Sequence, residues 1–266
     1  MIDLHCHMLP GIDDGARDLA SALDMARLAV ADGIRHTVCT PHIYPGLYEN
    51  TVPGIAAATR AFRAELENAG IPLTVSYGAD IQIVPELVAG LQGGALPTLH
   101  GSRYFLFEPP HHIQPPGMLE LIHSAVAAGY VPVITHPERL TWAEGAYTQF
   151  AEAARLGAWI QLTGGSLLGV WGPRVKAFSE RFLADGITHL VASDGHNQSN
   201  RSPTLGPARA VLVELVGEAE AHRLVSQRPA AVLADAAPVE VAPPNPAAPA
   251  PRRRWWWFGG TTQDSL

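Results

Sequence analysis

Seven short apolar segments recur along this chain, separated by longer segments whose apolar residues keep helical spacing. The apolar segments span residues 2–5, 36–40, 73–77, 104–108, 131–136, 159–163 and 189–193. Nearly continuous apolar strands that alternate with helices are typical of parallel β-structure buried beneath helices. The alternation predicts an α/β fold in which seven strand–helix units form a barrel, one unit fewer than in the eight-unit α/β barrel.

Imidazole or carboxylate side chains stand at or just after the carboxyl end of six of the seven predicted strands. In parallel α/β barrels the active site lies at this end of the strands. Histidines and acids scattered over a surface would not keep this phase. We therefore predict a single site, built from His5, His7, His42, Asp80, Glu108, His136, Asp194 and His196.

The composition is that of a globular enzyme, since the 266 residues are 47% hydrophobic and 16% charged. The net charge of -7 gives no reason to expect nucleic acid as a partner. The first residues lack the basic region of a secretion signal, and no stretch reaches the roughly 18 apolar residues of a membrane span. We expect a cytoplasmic protein.

His5 and His7 are two positions apart on a predicted strand, so both imidazoles face the same way and can reach one cation. Asp13 and Asp14 follow in the next loop, where one of them could turn back to the same cation. We favour Asp14 as the ligand. In the alternative, both acids cap the helix that begins near Arg17.

The other predicted ligands come from later strand ends. Pro41 ends the second strand and leaves His42 at the rim. Glu108 follows four apolar residues, where a carboxylate is costly to bury unless cations or donors compensate it. Asp194 and His196 again lie two positions apart. Imidazole and carboxylate ligands suit manganese, iron or zinc, and the absence of Cys ligand pairs disfavours a structural zinc site.

Two arginines follow ligand positions closely, since Arg139 comes three residues after His136 and Arg201 comes five after His196. A planar guanidinium near metal ions is suited to two-pronged contacts with phosphate oxygens. The alternative for Arg139 is an ordinary solvated loop residue. We predict that both arginines bind phosphate.

The two cysteines exclude one familiar phosphatase chemistry. A cysteine-dependent tyrosine phosphatase needs Arg six positions after its Cys. That position is Ile12 for Cys6 and Pro45 for Cys39. Neither cysteine can form such a phosphate cradle, and two cysteines do not indicate a structural disulfide framework.

The remaining histidines have weaker claims to the site. His111 and His112 follow Glu108 on a Pro-rich loop and are candidates for its entrance, and His100 stays unassigned. Four others open strands at the opposite end or lie within helices. We expect these four to be structural or solvent-facing: His36, His123, His189 and His222.

The composition changes near residue 234. Pro and Ala dominate residues 234–251, and so few large apolar side chains cannot build a packed core, which predicts a flexible, extended linker. Three Arg and four aromatic residues follow as Arg252–Phe258. This cluster could contact an anionic membrane surface or a partner's groove, and the alternative is a disordered tail. We predict a barrel at residues 1–233 and a flexible tail at 234–266.

Six short motifs occur in a specific order: His5-Cys6-His7, Thr40-Pro41-His42, Gly78-Ala79-Asp80, Phe107-Glu108, His136-Pro137-Glu138-Arg139 and Ser193-Asp194-Gly195-His196-Asn197. Together they resemble the polymerase-and-histidinol-phosphatase (PHP) superfamily. More narrowly, the chain resembles the bacterial capsule and exopolysaccharide type of protein-tyrosine phosphatase over residues 1–233. The resemblance implies a distorted seven-stranded barrel that holds three divalent metal ions, usually manganese.

The resemblance also implies a substrate, which is phosphotyrosine on a bacterial tyrosine autokinase that controls polysaccharide export. By position, Arg139 and Arg201 match the family's phosphate-binding arginines. The family usually has Glu where this chain has Asp80, so metal spacing or occupancy differs here unless the backbone moves closer. The family's metal ligands match this chain at His5, His7, Asp14, His42, Asp80, Glu108, His136, Asp194 and His196.

Three other functions fit parts of this pattern. Histidinol-phosphate phosphatase has the same superfamily chemistry and acts on a small metabolite. A metal-dependent amidohydrolase would use similar ligands, but it has no obvious use for two arginines at the rim. A catalytically weak regulator could bind a kinase, which would require an incomplete set of metal ligands.

Overall fold

The computed structural model describes residues 1–246, in which strands and helices alternate and confirm the expected α/β class. The strands are β1 (Ile2–Cys6), β2 (His36–Cys39), β3 (His42–Ile43), β4 (Thr74–Tyr77), β5 (Asp80–Gln82), β6 (Tyr104–Glu108), β7 (Val131–Thr135), β8 (Trp159–Thr163) and β9 (Leu190–Ala192). The helices are α1 (Leu19–Ala31), α2 (Val52–Asn68), α3 (Leu87–Gln92), α4 (Met118–Ala127), α5 (Tyr147–Arg155), α6 (Gly164–Leu167), α7 (Gly172–Ala184), α8 (Gly206–Val216), α9 (Glu218–His222) and α10 (Arg228–Leu233).

Two parallel sheets contain these strands. One has the order β1-β2-β4 and the other the order β3-β5-β6-β7-β8-β9. Every residue of β6, β7 and β8 is buried, and helices such as α4 and α5 contact these strands. Parallel strands covered on both faces need apolar residues on both faces, which explains their nearly continuous apolar sequence.

The structure has nine strands within residues 1–246, where the sequence predicted seven. After a break, β2 is followed by the short strand β3, and β4 is followed by the short strand β5. Both short strands belong to the other sheet. Pro41 lies in the first break and has no backbone N–H to continue the ladder. Gly78 lies in the second, where a Cβ would be 2.8 Å from Leu99 Cδ2. The two breaks lie side by side, because Gly78 N donates to Cys39 O (3.0 Å) and Asp80 N donates to Pro41 O (3.1 Å).

The end of β1 lies beside the chain that follows β9. Asp194 N donates to His5 O (2.9 Å), and His7 N donates to Gly195 O (2.8 Å). Gly195 leaves no room for a side chain, since a Cβ there would be 2.8 Å from Pro203 Cα. These contacts bring the predicted ligands of the first and last strands to one edge of the protein.

Residues 235–246, the first part of the predicted tail, contact the rest of the protein. Arg103, which precedes β6, forms an ion pair with Asp235 at 2.9 Å. Arg228 Nε donates to Ala242 O at 3.0 Å. The division of the chain at residue 233 stays a prediction.

The predicted contact cluster Arg252–Phe258 lies outside the residues that the structure describes. Its contact with a membrane or a partner stays a prediction. Among residues 1–246, no helix has the length and apolar composition needed to cross a bilayer.

Arg228 and Glu220 form an ion pair in the protein interior. Their side chains are 1% and 4% exposed, and a guanidinium nitrogen lies 2.7 Å from the carboxylate. The guanidinium also donates to the carbonyl oxygens of Ala242 (3.0 Å) and Pro243 (2.8 Å). Glu220 also accepts from Arg223 at 3.0 Å through its other oxygen, so the buried charges are held by a small network in which Arg228 is the more deeply buried cation.

Replacing Arg228 with Ala should lower the free energy of unfolding by about 1.5–3 kcal/mol, because the buried Glu220 carboxylate would lose its charged donor at Oε1 and keep Arg223 only at Oε2. Urea denaturation followed by circular dichroism measures this change. Arg209→Ala is the matched control, since Arg209 pairs with the exposed Glu218 and its loss should change stability by about 0–1 kcal/mol. Equal effects of the two substitutions would contradict a structural role for the buried pair.

Candidate metal centre

The nine predicted metal ligands come together at the carboxyl ends of the strands. Each has a side-chain nitrogen or oxygen within 3.7 Å of one in another member of the set. We call this set the ligand cluster. Its members are His5, His7, Asp14, His42, Asp80, Glu108, His136, Asp194 and His196.

His5, in β1, and His7, just after it, form the centre of the ligand cluster. Their Nε2 atoms are 3.1 Å apart, and both rings are buried. His5 Nε2 lies 3.3 Å from Asp80 Oδ2 and 3.4 Å from Asp194 Oδ1, while His7 Nε2 lies 3.5 Å from the same Asp194 oxygen. The alternation of side chains along a strand places His5 and His7 on one side, as predicted.

Hydrogen bonds from outside the cluster orient both rings. His5 Nδ1 is 2.9 Å from Gln161 Oε1, and His7 Nδ1 is 2.7 Å from Asp13 Oδ2. Bonds of this kind set the ring orientation of metal-binding histidines and leave Nε2 for the metal. Sequence reasoning missed both partners in this role, although a Gln within the apolar β8 segment was a usable signal.

The loop after β1 carries Asp14 to the cluster. Asp14 Oδ1 lies 3.4 Å from the Nε2 atoms of both His42 and His196. The capping alternative for Asp13 and Asp14 does not apply, because Asp18 caps α1 by accepting from Ser21 N at 2.8 Å. His7, Asp14, His42 and His196 offer ligand atoms that all lie within 4.8 Å of one another.

Gly15 allows this loop to pack directly on β1. A Cβ on Gly15 would lie 2.0 Å from His7 O and 2.5 Å from His7 Cβ, far inside contact distance. The next residue, Ala16, donates its N–H to His7 O at 3.0 Å. Only glycine fits here, so the position of Asp14 relative to His7 depends on Gly15.

A second part of the cluster gathers around Asp80. Its Oδ2 lies 3.7 Å from His42 Nδ1 and 3.7 Å from His136 Nε2, and Glu108 Oε2 lies 3.4 Å from His42 Nδ1. His42, Asp80 and Glu108 form one group suited to a metal ion. Glu108 and His136 form another such group with His111, which the sequence placed only at the entrance.

The chemistry of the cluster fits divalent cations. Several of its buried atoms have no hydrogen-bond partner within residues 1–246, and burying such atoms without compensation is costly. Cations bound between the side chains would compensate them. The atoms are both carboxylate oxygens of Asp80, Oε2 of Glu108, Nδ1 of His42 and of His136, and Nε2 of His196.

Burial and neighbouring charges shift the pKa values of histidines in the ligand cluster in opposite directions. Burial lowers the pKa of His42, but the carboxylates of Asp14, Glu108 and Asp80 outweigh it and raise that pKa to about 12. Burial and the charge of Arg139 lower the pKa of His136 to about 3. A metal ion could bind His136 without displacing a proton at neutral pH, whereas at His42 it would have to displace one.

The two predicted phosphate-binding arginines meet at one carboxylate. Arg139 and Arg201 both donate to Asp194 Oδ2, the latter at 2.9 Å. The pKa of Asp194 lies well below its usual range, because Arg139 and the surrounding cations outweigh the effect of burial. Nε of Arg201 is buried and has no hydrogen-bond partner within the described residues. Two guanidiniums thus lie together beside the ligand cluster, and one of them has a donor left over for a further acceptor.

Two strand ends in the cluster have unusual backbone geometry. His136 has φ 35° and Asp194 has φ 50°, in the left-handed region that side chains with a Cβ seldom adopt. Strain of this kind persists where the surrounding structure holds it and is concentrated at functional sites. The left-handed conformation turns the chain sharply at each of these two strand ends and directs the ligands inward.

Five other histidines lie apart from the cluster: His36, His100, His123, His189 and His222. His36 bonds to Ser76 Oγ at 2.8 Å with His100 packed edge-on against it, and His189 stacks on Trp159 with ring centres 5.2 Å apart. His123 and His222 are exposed. These positions agree with the structural or solvent-facing roles expected for the four histidines named for them.

Comparison with known proteins identifies the family. A family model for capsular polysaccharide synthesis, CpsB/CapC, matches residues 1–234. This chain belongs to the CpsB/CapC family. The match confirms the resemblance that the six sequence motifs indicated.

Relatives in the CpsB/CapC family are named as tyrosine phosphatases. Tyrosine-protein phosphatase YwqE of Bacillus subtilis is 39% identical over 202 residues, which cover 76% of this chain and 80% of YwqE. Tyrosine-protein phosphatase CpsB of Streptococcus pneumoniae is 27% identical over 240 residues, which cover 88% of this chain and 99% of CpsB.

Solved structures give the same relationship. A structure from work on YwqE of Bacillus subtilis and CpsB of Streptococcus pneumoniae, described there as unique metal-dependent tyrosine phosphatases, matches with a TM-score of 0.87. The two are 34% identical, and the match covers 95% of this chain and 100% of that one. The CpsB/CapC fold thus extends over nearly all of the chain.

Replacing Gly15 with Ala should lower the affinity for manganese by roughly 10-fold or more, because the new methyl group displaces His7 and Asp14 from each other. Metal analysis after equilibration with buffered manganese measures the change. Gly145→Ala is the control, since the nearest atom to a Cβ there is 3.7 Å away, an ordinary contact. Unchanged manganese binding in Gly15→Ala, with a normal circular dichroism spectrum, would refute this role for Gly15.

Proposed function

We propose that this chain is a metal-dependent protein-tyrosine phosphatase that acts on a bacterial tyrosine kinase in capsule or exopolysaccharide synthesis. The observation that carries the proposal is the cluster of nine imidazole and carboxylate ligands with two arginines converging at its rim. The names of the YwqE and CpsB relatives support the choice of phosphotyrosine as substrate.

The proposed cofactor is three divalent cations, with manganese as the metal and iron or zinc as alternatives that the same ligands suit. Overlapping ligand groups support several adjacent ions, since His7, His42 and Asp80 each belong to two groups. Asp80 replaces the Glu usual in the family, and its position within 3.7 Å of three histidines supports its inclusion as a ligand.

Divalent cations bound in such a cluster supply an activated water and positive charge opposite a phosphate. The protein's own contribution is orientation and charge. Arg139 and Arg201 would bind the non-bridging phosphate oxygens and stabilise the charge that accumulates there. Asp194 holds both guanidiniums at the rim before substrate arrives. Phenol is a fair leaving group, so the tyrosyl oxygen can depart without a strong general acid.

The finer architecture and the location of the protein belong to the same proposal. We propose that the two sheets are parts of one distorted PHP-type barrel, which the hydrogen bonds between the ends of β1 and β9 support. The proposed barrel comprises residues 1–233, in the cytoplasm. The proposed tail, residues 234–266, would bring Arg252–Phe258 to the membrane surface or to the kinase.

Exhaustive chelation should abolish hydrolysis of a phosphotyrosyl peptide, and added manganese should restore it. The reason is that the bound cations are the proposed source of the activated water. Phosphate release measures both steps. Histidinol phosphate, assayed beside the peptide, separates the proposed function from that of a small-molecule phosphatase. Activity that survives chelation, or faster hydrolysis of histidinol phosphate than of the peptide, would contradict the proposal. A protein that binds manganese but hydrolyses neither substrate would be a regulator.

Replacing Arg139 or Arg201 with Ala should lower kcat by roughly 100-fold or more, because each donor stabilises charge on the transferred phosphoryl group. Manganese content should remain near that of the unmodified protein, since neither arginine is a metal ligand. Arg174→Ala serves as the control, because Arg174 is half-exposed and pairs with Glu144 outside the cluster. A parallel loss of manganese and activity would mean that the arginines only support the structure.

A further inference from the structure

Exposed apolar side chains are concentrated on connections at the end of the protein that holds the ligand cluster. Eight large apolar residues among those described are exposed, and five of them lie in connections that begin at the carboxyl ends of strands, two of these after the short helix α6. An apolar surface beside so charged a centre contributes nothing to metal binding and is typical of a binding site. The five are Tyr44, Leu47, Ile113, Leu168 and Val170.

Two of these side chains line a cavity of about 400 Å³ that opens on the cluster. Tyr44, Pro110 and Ile113 provide its apolar walls, and Glu108 and His111, which share a metal-ligand group, provide its polar side. Gln82 and His112 complete the lining. We call this cavity the aryl pocket. Because Glu108 belongs to the ligand cluster, a group that fills the pocket lies next to the metal centre.

The walls of the aryl pocket are held by backbone hydrogen bonds. Tyr44 and Tyr48 exchange a pair of bonds at 2.9 and 2.8 Å, which closes the loop after β3. On the other side, Trp142 Nε1 donates to Pro110 O at 2.8 Å, and Thr141 N donates to His111 O at 3.0 Å. A pocket formed before binding loses less conformational entropy when a ligand enters.

We propose that the aryl pocket binds the aromatic ring of the phosphotyrosyl side chain, with Tyr44 and Ile113 as its specificity-determining residues. This inference rests on the proposed phosphatase function and names the structure that selects the substrate. Ile113 is 71% exposed, so a ring that packs against it removes apolar surface from water. A ring beside Tyr44 also gains a favourable aromatic contact.

The chemistry of the walls favours a phenyl ring over the rival substrate. A phenyl ring would be covered by Tyr44, Pro110 and Ile113, whereas the ammonium and imidazole of a histidinol group would find partners only on the polar side of the pocket and none at Pro110 or Ile113. A larger cavity of about 480 Å³, lined by residues that include Ile83, Pro116 and Leu121, contains no member of the ligand cluster. A ring attached to a phosphate at the metals therefore fits the aryl pocket.

Binding of two phosphonates to the full chain loaded with manganese tests the aryl pocket. Phenylphosphonate and methylphosphonate carry the same anionic group and resist hydrolysis, so calorimetry measures the contribution of the ring alone. The unmodified protein should bind phenylphosphonate more tightly. Ile113→Ser and Tyr44→Ala should each weaken phenylphosphonate binding by roughly 10-fold and leave methylphosphonate binding unchanged. Leu168→Ser is the control, because Leu168 is exposed at the same end but does not line the pocket.

Equal affinity of the unmodified protein for the two phosphonates would overturn the proposal. Unchanged selectivity in both variants would also overturn it. So would an equal loss of affinity for both phosphonates, because the side chains would then act through the metal centre. Failure of the phosphatase function gives a different result. In that case the phenyl preference and its loss in the variants would persist, while phosphotyrosyl peptide would not be hydrolysed.

Discussion

The structure depends on compensating charge that is buried at one end of an apolar framework. The strands β6, β7 and β8 are buried and mostly apolar, whereas the carboxyl ends of β6 and β7 bring Glu108 and His136, which are buried as well, to the ligand cluster. Asp80 is completely buried, yet both of its carboxylate oxygens lack hydrogen-bond partners within residues 1–246. Cations bound beside such a side chain would compensate its charge, so the proposed metal ions would also stabilise this end of the protein.

Separate elements supply stability and chemistry. The Arg228–Glu220 pair and the contacts of residues 235–246 involve the start of β6 and the terminal helices, whereas the ligand cluster occupies the opposite ends of the strands. The loops at the cluster contribute what the strands cannot, namely Asp14, Arg201 and the walls of the aryl pocket. Substrate choice can therefore vary through the loops while the strands remain unchanged.

Much of this site could be predicted from the sequence, because strand ends carry a periodic signal. Asp80, Glu108 and Asp194 stand out as acids directly after apolar runs, and parallel strands bring such ends together. The structure has nine strands instead of the predicted seven because the chain breaks at Pro41 and at Gly78 and continues in the other sheet. Apolar runs in the sequence do not show where a chain passes from one sheet to another.

The residues that sequence reasoning missed depend on how loops and neighbouring strands meet. Asp13 reaches His7, and Gln161 reaches His5 across 156 positions of sequence. His111 joins Glu108 and His136 only because the loop after β6 folds back over the cluster. Contacts of this kind have no local periodicity, so a single sequence carries little information about them.

Asp194 has a consequence for turnover. One carboxylate is shared by Arg139 and Arg201 and offsets part of their charge, so an arriving dianion would compete with Asp194 for the two guanidiniums and would not meet two bare cations. Such an exchange keeps the net gain from anion capture small. In the proposed reaction, inorganic phosphate has no organic group to anchor it and would leave easily, and the Asp194 carboxylate would take back the two guanidiniums.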